Sequence, residues 1–139
     1  YASIYKTISN ISTIFTPNLN EAKILLKIKY NSKLNTEVIM KEFTEKFRSK
    51  VVITDGGNRS GYCEDFLIDK GVVKKFVSNK IPSKNTHGSG CTFSSALAVN
   101  LAKGFSLKKS VEQAKDFTRK CILNAPKFNL KYGPVGHLL

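Results

Sequence analysis

Apolar residues recur along this chain with two periods, and the switches between them outline its elements. The β-prone run ISTIF at residues 11–15 is closed by Pro17, and Asn18 with Glu21 three positions on forms an N-cap and N3 pair. Behind that pair, Leu19, Ala22, Leu25 and Leu26 make an apolar stripe at helical spacing. Ile39, Phe43 and Phe47 recur every fourth residue in a second predicted helix over about 36–48. VVITDGG, residues 51–57, is a short apolar run stopped by two glycines, which predicts a buried strand ending in a tight turn. Residues 61–68 and 72–77 flank DKG and read as a hairpin. Beyond Pro82 a helix over about 88–103 ends at Gly104, and Ser106 caps a last helix. One face of that helix carries Leu107, Val111, Ala114, Thr118, Cys121 and Ala125. The opening YASIYKTISN reads as the end of a helix, as in a piece of something longer, and the closing NLKYGPVGHLL has no clear period. Strand, helix, helix, strand, hairpin, helix, helix predicts an α/β fold with a mainly parallel sheet flanked by helices. No repeat or low-complexity linker divides it, so a single domain over residues 1–139 is expected.

Composition narrows the function classes. The longest apolar stretches are too short to span a membrane, so no membrane partner is expected. Cys63, Cys91 and Cys121 are an odd number at irregular spacing with no signal pattern ahead of them, which points to a reducing, cytoplasmic setting. The net charge of +13 attracts anions. Yet nearly all the cations are lysines spread along the chain, with only Arg48, Arg59 and Arg119 to supply planar bidentate contacts, so no nucleic acid is expected. A solvated lysine surface, or attraction of a polyanionic small molecule, fits this distribution. No His and Cys spacing suggests zinc.

The chemistry-bearing stretch is NTHGSGCT, residues 85–92, where a glycine turn runs into a helix. Gly88 and Gly90 allow the backbone to turn sharply and present successive N–H groups to an anion at a helix N-terminus. Neither the Walker loop nor G-x-G-x-x-G is present. On spacing alone the segment is as well explained by a plain structural turn, with Cys91 packed as a small apolar side chain.

KNTHGSGCTFSSALA together with TPNLNEA and the closing YGPVGH resembles the hydroxymethylpyrimidine phosphate kinases of thiamine biosynthesis, members of the ribokinase superfamily, over residues 15–137. In the related sugar kinases the segment looks like DTTGAGD, with the last Asp as base; here Asn85 and Cys91 stand at the two Asp places. The resemblance implies ATP-dependent phosphorylation of a small pyrimidine alcohol and then of its monophosphate. Gly88, Ser89 and Gly90 would form an anion hole over the moving phosphoryl group, and Cys91 would face the acceptor oxygen. Asn85, Thr86 and His87 would lie along the nucleotide, although a lone His is more often a structural residue. Asn18 and Glu21 match an N-x-x-E element that organises Mg²⁺ through water, and the same pair is an ordinary reciprocal cap.

VVITDGGN corresponds to a segment that reads V-K-G-G-H in many pyrimidine kinases, with Asp55 at the lysine place and Asn58 at the histidine. A carboxylate beside phosphates is repulsive without an intervening cation, so the nucleotide contacts there are assigned to Thr54, Gly56 and Gly57, with a simple turn as the alternative. His137 fits the tail pattern and is assigned no chemistry; Cys63 and Cys121 are read as packing residues. The family's N-terminal portion supplies the first strands and most of the acceptor pocket. The resemblance therefore implies a chain inactive alone, with an exposed sheet edge that favours association with the missing portion or with another copy. Hydroxyethylthiazole kinase, pyridoxal kinase and a non-catalytic nucleotide-binding fragment are the alternative readings.

Overall fold

The computed structural model describes residues 7, 11–29, 36–47, 49–57, 61–126 and 132–138, the side chains of 55–57 excepted. They fall into two compact units, Tyr1–Asn79 and Lys80–Leu139. Of YASIYKTISN only Thr7, which is helical, lies among the described residues, and Asn58 lies outside them.

In the first unit, strand β1 (Ile14–Phe15) leads through Pro17 into helix α1 (Leu19–Leu25), followed by α2 (Thr36–Lys46) and strands β2 (Lys50–Gly57), β3 (Tyr62–Asp69) and β4 (Val72–Asn79). The strands form one sheet in the order β1-β2-β3-β4. Only β1 and β2 run parallel; β2 with β3 and β3 with β4 are antiparallel. The expected mainly parallel sheet is therefore a mixed one among the described strands, and connection length explains why. The β1 to β2 link carries two helices, long enough for a crossover, whereas the two later links are a few residues long and can only reverse the chain. At the tip of the β3–β4 hairpin Lys70 and Gly71 both have positive φ, 50° and 81°, as a two-residue turn matched to strand twist requires.

ISTIF is a strand only at its last two residues, because Ile11 is helical and exposed. The α2 helix stops at Lys46, yet Phe47 still continues its stripe, stacking on Phe43 with ring centroids 4.6 Å apart. Ala22 and Leu26 of the α1 stripe join Ile39, Met40 and Phe43 of α2 over Val51, Ile53, Phe66 and Ile68 of the sheet. Each large side chain buried there stabilises the fold by about 1.5–3 kcal/mol. Glu64 is buried on the same face of β3, its carboxylate 3.1 Å from Lys75 Nζ on β4. That partner is what makes a buried acid tolerable.

In the second unit a loop leads into α3 (Ser89–Ala102), and α4 (Leu107–Leu123) packs back against it. Gly104 at φ +82° turns the chain after α3, and the Ser106 hydroxyl accepts the Lys109 N–H to start α4. Val111, Ala114, Thr118 and Cys121 are buried as their spacing predicts, and so is Ser110. The hydroxyls of Thr118 and Ser110 remain satisfied by the carbonyls of Ala114 and Phe105. Burial pushes the Cys121 thiol above its ordinary pKa.

Candidate functional site

A helix start leaves its first N–H groups without intrahelical partners, and a side-chain cap usually takes one of them. At α3 the N-cap is Gly88, in the left-handed region at φ +87°, which offers no side-chain acceptor, and the first turn has no acidic residue. Ser89 N–H is bonded to the Thr86 carbonyl at 3.1 Å, so the amide of one of the three residues expected to form the anion hole is already committed. Among the described residues the amides of Gly88, Gly90 and Cys91 have no acceptor in the chain. A Cβ added at Gly90 would meet nothing within 4 Å. Cys91 is exposed, which overturns the reading of it as a buried packing residue. Three free amides and an open thiol at one helix N-terminus form a positive, sterically empty rim suited to an anionic group.

The closing segment grips this turn. His87 N–H donates to the Gly133 carbonyl at 3.1 Å, and Val135 N–H returns a 3.0 Å bond to the His87 carbonyl. Nε2 of His137 lies 2.8 Å from the Thr92 hydroxyl, which donates to the Gly88 carbonyl at 2.9 Å. Gly136 N–H is held by the Cys121 carbonyl at 2.8 Å. The Asn85 amide donates to the Pro126 carbonyl at 3.1 Å, so its side chain braces the tail; Thr86 is exposed and contributes its carbonyl to the turn. Thr92 and His137, to which sequence reasoning assigned nothing, are thus wired to the turn. The signal was present in YGPVGH, whose glycines sit where the tail approaches other chain segments most closely.

In the first unit, Asn18 Oδ1 accepts from Glu21 N–H at 2.9 Å and Glu21 Oε2 accepts from Asn18 N–H at 2.8 Å, a complete capping box. Asn18 bridges Thr54 in parallel, and Thr54 N–H donates to the Pro17 carbonyl at 3.0 Å. The α1 N-terminus therefore lies beside the carboxyl half of β2, the end of a strand where ligands of α/β proteins collect. The strand includes both glycines and ends at Gly57, as the sequence leads one to expect, with its pairing to β3 shifting between Ile53 and Gly57. Glu21 is exposed, with one carboxylate oxygen in the cap and the other uncommitted, and no group of three His, Cys, Asp or Glu able to hold a metal occurs among the described residues. This donor set fits a hydrated Mg²⁺ touched through water and does not fit a chelating protein cage.

This chain is similar to known kinases along nearly its whole length. It is 33% identical over 137 residues to hydroxymethylpyrimidine/phosphomethylpyrimidine kinase of Staphylococcus aureus (strain MRSA252), covering 97% of this chain and 50% of the relative. It is 33% identical over 140 residues to pyridoxine kinase of Bacillus subtilis (strain 168), covering 97% of this chain and 51% of that one. The chain thus spans about half the length of these curated relatives. Among solved structures, Bacillus subtilis pyridoxal kinase in an ADP complex superposes with a TM-score of 0.85 at 30% identity, over 98% of this chain and 54% of that one. Staphylococcus aureus pyridoxal kinase in complex with AMP-PCP and pyridoxal gives 0.84 at 29%, over 98% and 52%. These neighbours share the ribokinase-like α/β fold expected from the sequence. A profile described as phosphomethylpyrimidine kinase matches residues 1–136, which include the capping box and the glycine turn described above, and the chain belongs to that family.

Proposed function

We propose that this chain is the nucleotide-handling and phosphoryl-transfer portion of a kinase that uses ATP to phosphorylate hydroxymethylpyrimidine and then its monophosphate, in thiamine biosynthesis. The observation that carries the reading is the trio of amides at Gly88, Gly90 and Cys91, unpaired in the chain at the start of α3 beside an exposed thiol. Phosphoryl transfer has a loose transition state with charge spread over three oxygens, so fixed donors matter more than a strong base. One such donor is worth about 3–4 kcal/mol in comparable oxyanion holes. The second acceptor is already a phosphate and needs no base, which makes cysteine adequate at position 91 where alcohol-phosphorylating sugar kinases carry aspartate.

In the first unit, Thr54 and the backbone of Gly56 and Gly57 are assigned nucleotide contacts; in the second unit, Asn85, Thr86 and His87 are. Glu21, oriented by Asn18, is assigned to water on Mg²⁺, which would supply neutralisation of the phosphate charge. The net charge of +13 favours arrival of such polyanions, and three cysteines outside any disulfide suit a reducing, cytoplasmic compartment. The acceptor pocket is assigned to the portion that the relatives have beyond the matched half, so the isolated chain is expected to be inactive.

A second reading is a pyridoxal or pyridoxine kinase, favoured by the Bacillus subtilis relative and by the solved pyridoxal kinases. Specificity constants for hydroxymethylpyrimidine, its monophosphate and pyridoxal, measured side by side on the complete enzyme, decide between them. A preference of at least about a hundredfold for the two pyrimidines is expected; a preference for pyridoxal transfers the assignment, and no transfer to any of the three overturns the kinase reading.

A further inference from the structure

We infer that His137 is a positioning residue for the glycine turn, acting through the Thr92 hydroxyl on the peptide that joins Gly88 to Ser89. The inference rests on the kinase reading for its consequence, and on geometry for the link itself. Thr92 Oγ1 stands 2.9 Å from the Gly88 carbonyl oxygen and 2.8 Å from His137 Nε2. A hydroxyl carries one proton, and a carbonyl oxygen can only accept. If that proton went to the imidazole, two lone-pair oxygens would face each other at hydrogen-bond distance, so the hydroxyl donates to Gly88 and Nε2 is the donor to the hydroxyl. The geometry thereby fixes His137 with its hydrogen on Nε2.

The effect on the turn follows from what else holds that peptide. Its carbonyl also accepts Thr92 N–H at 2.9 Å, while its own N–H, that of Ser89, donates to Thr86. The plane is held at both edges, and its orientation sets the direction of the neighbouring free N–H groups at Gly88 and Gly90. The tail that carries His137 is itself bonded to His87 on the upstream side of the turn. The turn is bracketed at residue 87 by tail backbone and at residue 92 by a tail side chain. Donors that are aimed before the reaction begins lower the barrier without tightening ground-state binding. Loss of the link is therefore expected in kcat, with the KM for nucleotide largely kept.

The experiment uses the complete enzyme with His137→Ala, His137→Gln, Thr92→Val, Thr92→Ser and the double variant Thr92→Val/His137→Ala. The two single deletions are each expected to lower kcat about tenfold with the nucleotide KM within about threefold. The double variant should be no worse than the more impaired single, because both cut one chain of bonds. Gln and Ser, which restore a donor and a hydroxyl, should regain most of kcat, which a general loss of packing would not show. In parallel, imidazole nitrogen NMR of the unmodified enzyme should report hydrogen on Nε2 of His137, and the Ser89 amide resonance should move in His137→Ala. Additive losses, a Gln variant no better than Ala, or hydrogen on Nδ1 with a still Ser89 amide would overturn the inference while leaving phosphoryl transfer intact. An enzyme that transfers no phosphate but shows both NMR signatures would sink the kinase reading and keep the link.

Discussion

Asn85 and Gly133 fit together only because residue 133 has no side chain: a Cβ there would overlap Asn85 Oδ1 and lie 2.9 Å from its Cγ. The Asn85 amide meanwhile holds the Pro126 carbonyl, so one side chain spaces two parts of the closing segment. Gly133→Ala should cost about 1–3 kcal/mol through overpacking. Asn85→Ala should cost about 1 kcal/mol through the lost bond. Since the alanine at 85 removes the obstacle, the double variant should be less destabilised than the sum of the two, by about 1 kcal/mol or more. Urea unfolding of the four proteins measures this, and strict additivity would contradict the packing described.

Gly136 offers a contrast. A Cβ there would overlap the Asn124 carbonyl oxygen and lie 3.2 Å from Ala125 Cα, and both obstacles are backbone. No rotamer change relieves them, so Gly136→Ala should destabilise more than Gly133→Ala and loosen the bond from Gly136 N–H to Cys121. Amide exchange at Gly136 faster than in the unmodified protein is the expected readout.

The Asn18–Glu21 pair separates cap from metal chemistry. Asn18→Ala should cost about 1 kcal/mol of stability. Glu21→Gln keeps the acceptor that closes the capping box and removes only the charge. It should leave the unfolding midpoint nearly unchanged while raising the half-saturating Mg²⁺ concentration about tenfold or more. An unaltered Mg²⁺ requirement would reduce Glu21 to a cap.

Cys121 gives the alkaline limb of stability a cause. Its folded pKa is raised by burial above the ordinary value of 9.0. Between the unfolded and the folded pKa the unfolded chain has lost a proton that the native chain retains, so stability falls as pH rises through that window. The contribution is fully present below about pH 9 and absent above the folded value. Cys121→Ala should flatten the decline in unfolding free energy above about pH 9, at the expense of a smaller stability at neutral pH. An identical alkaline slope in both proteins would show that another group governs it.

How much of this was legible in the sequence depends on whether the interaction is local. The Asn18–Glu21 box joins residues three positions apart and the Lys70–Gly71 turn adjacent ones, and both declare themselves by residue type. The buried face of α4 is legible for the same reason, since period alone sets which residues point inward. The mixed direction of the sheet is set by the length of each link, which the alternation of strands and helices does not convey by itself. The clamp on the glycine turn joins residues 85–92 to 126–137, and no periodicity in the tail announces a partner more than forty positions away. What the tail did display was two glycines spaced around Pro134 and Val135, and close approach of backbones is the reason they are there.

On this reading the turn at 88–91 receives the transferring phosphoryl group on free backbone amides. The most direct measurement is an amide NMR titration of the complete enzyme with Mg²⁺ and a non-hydrolysable ATP analogue. The resonances of Gly88, Gly90 and Cys91 are expected to shift downfield together as donors engage an anion, with the already bonded Ser89 amide moving least. Saturable nucleotide binding that leaves those three amides unmoved would contradict it.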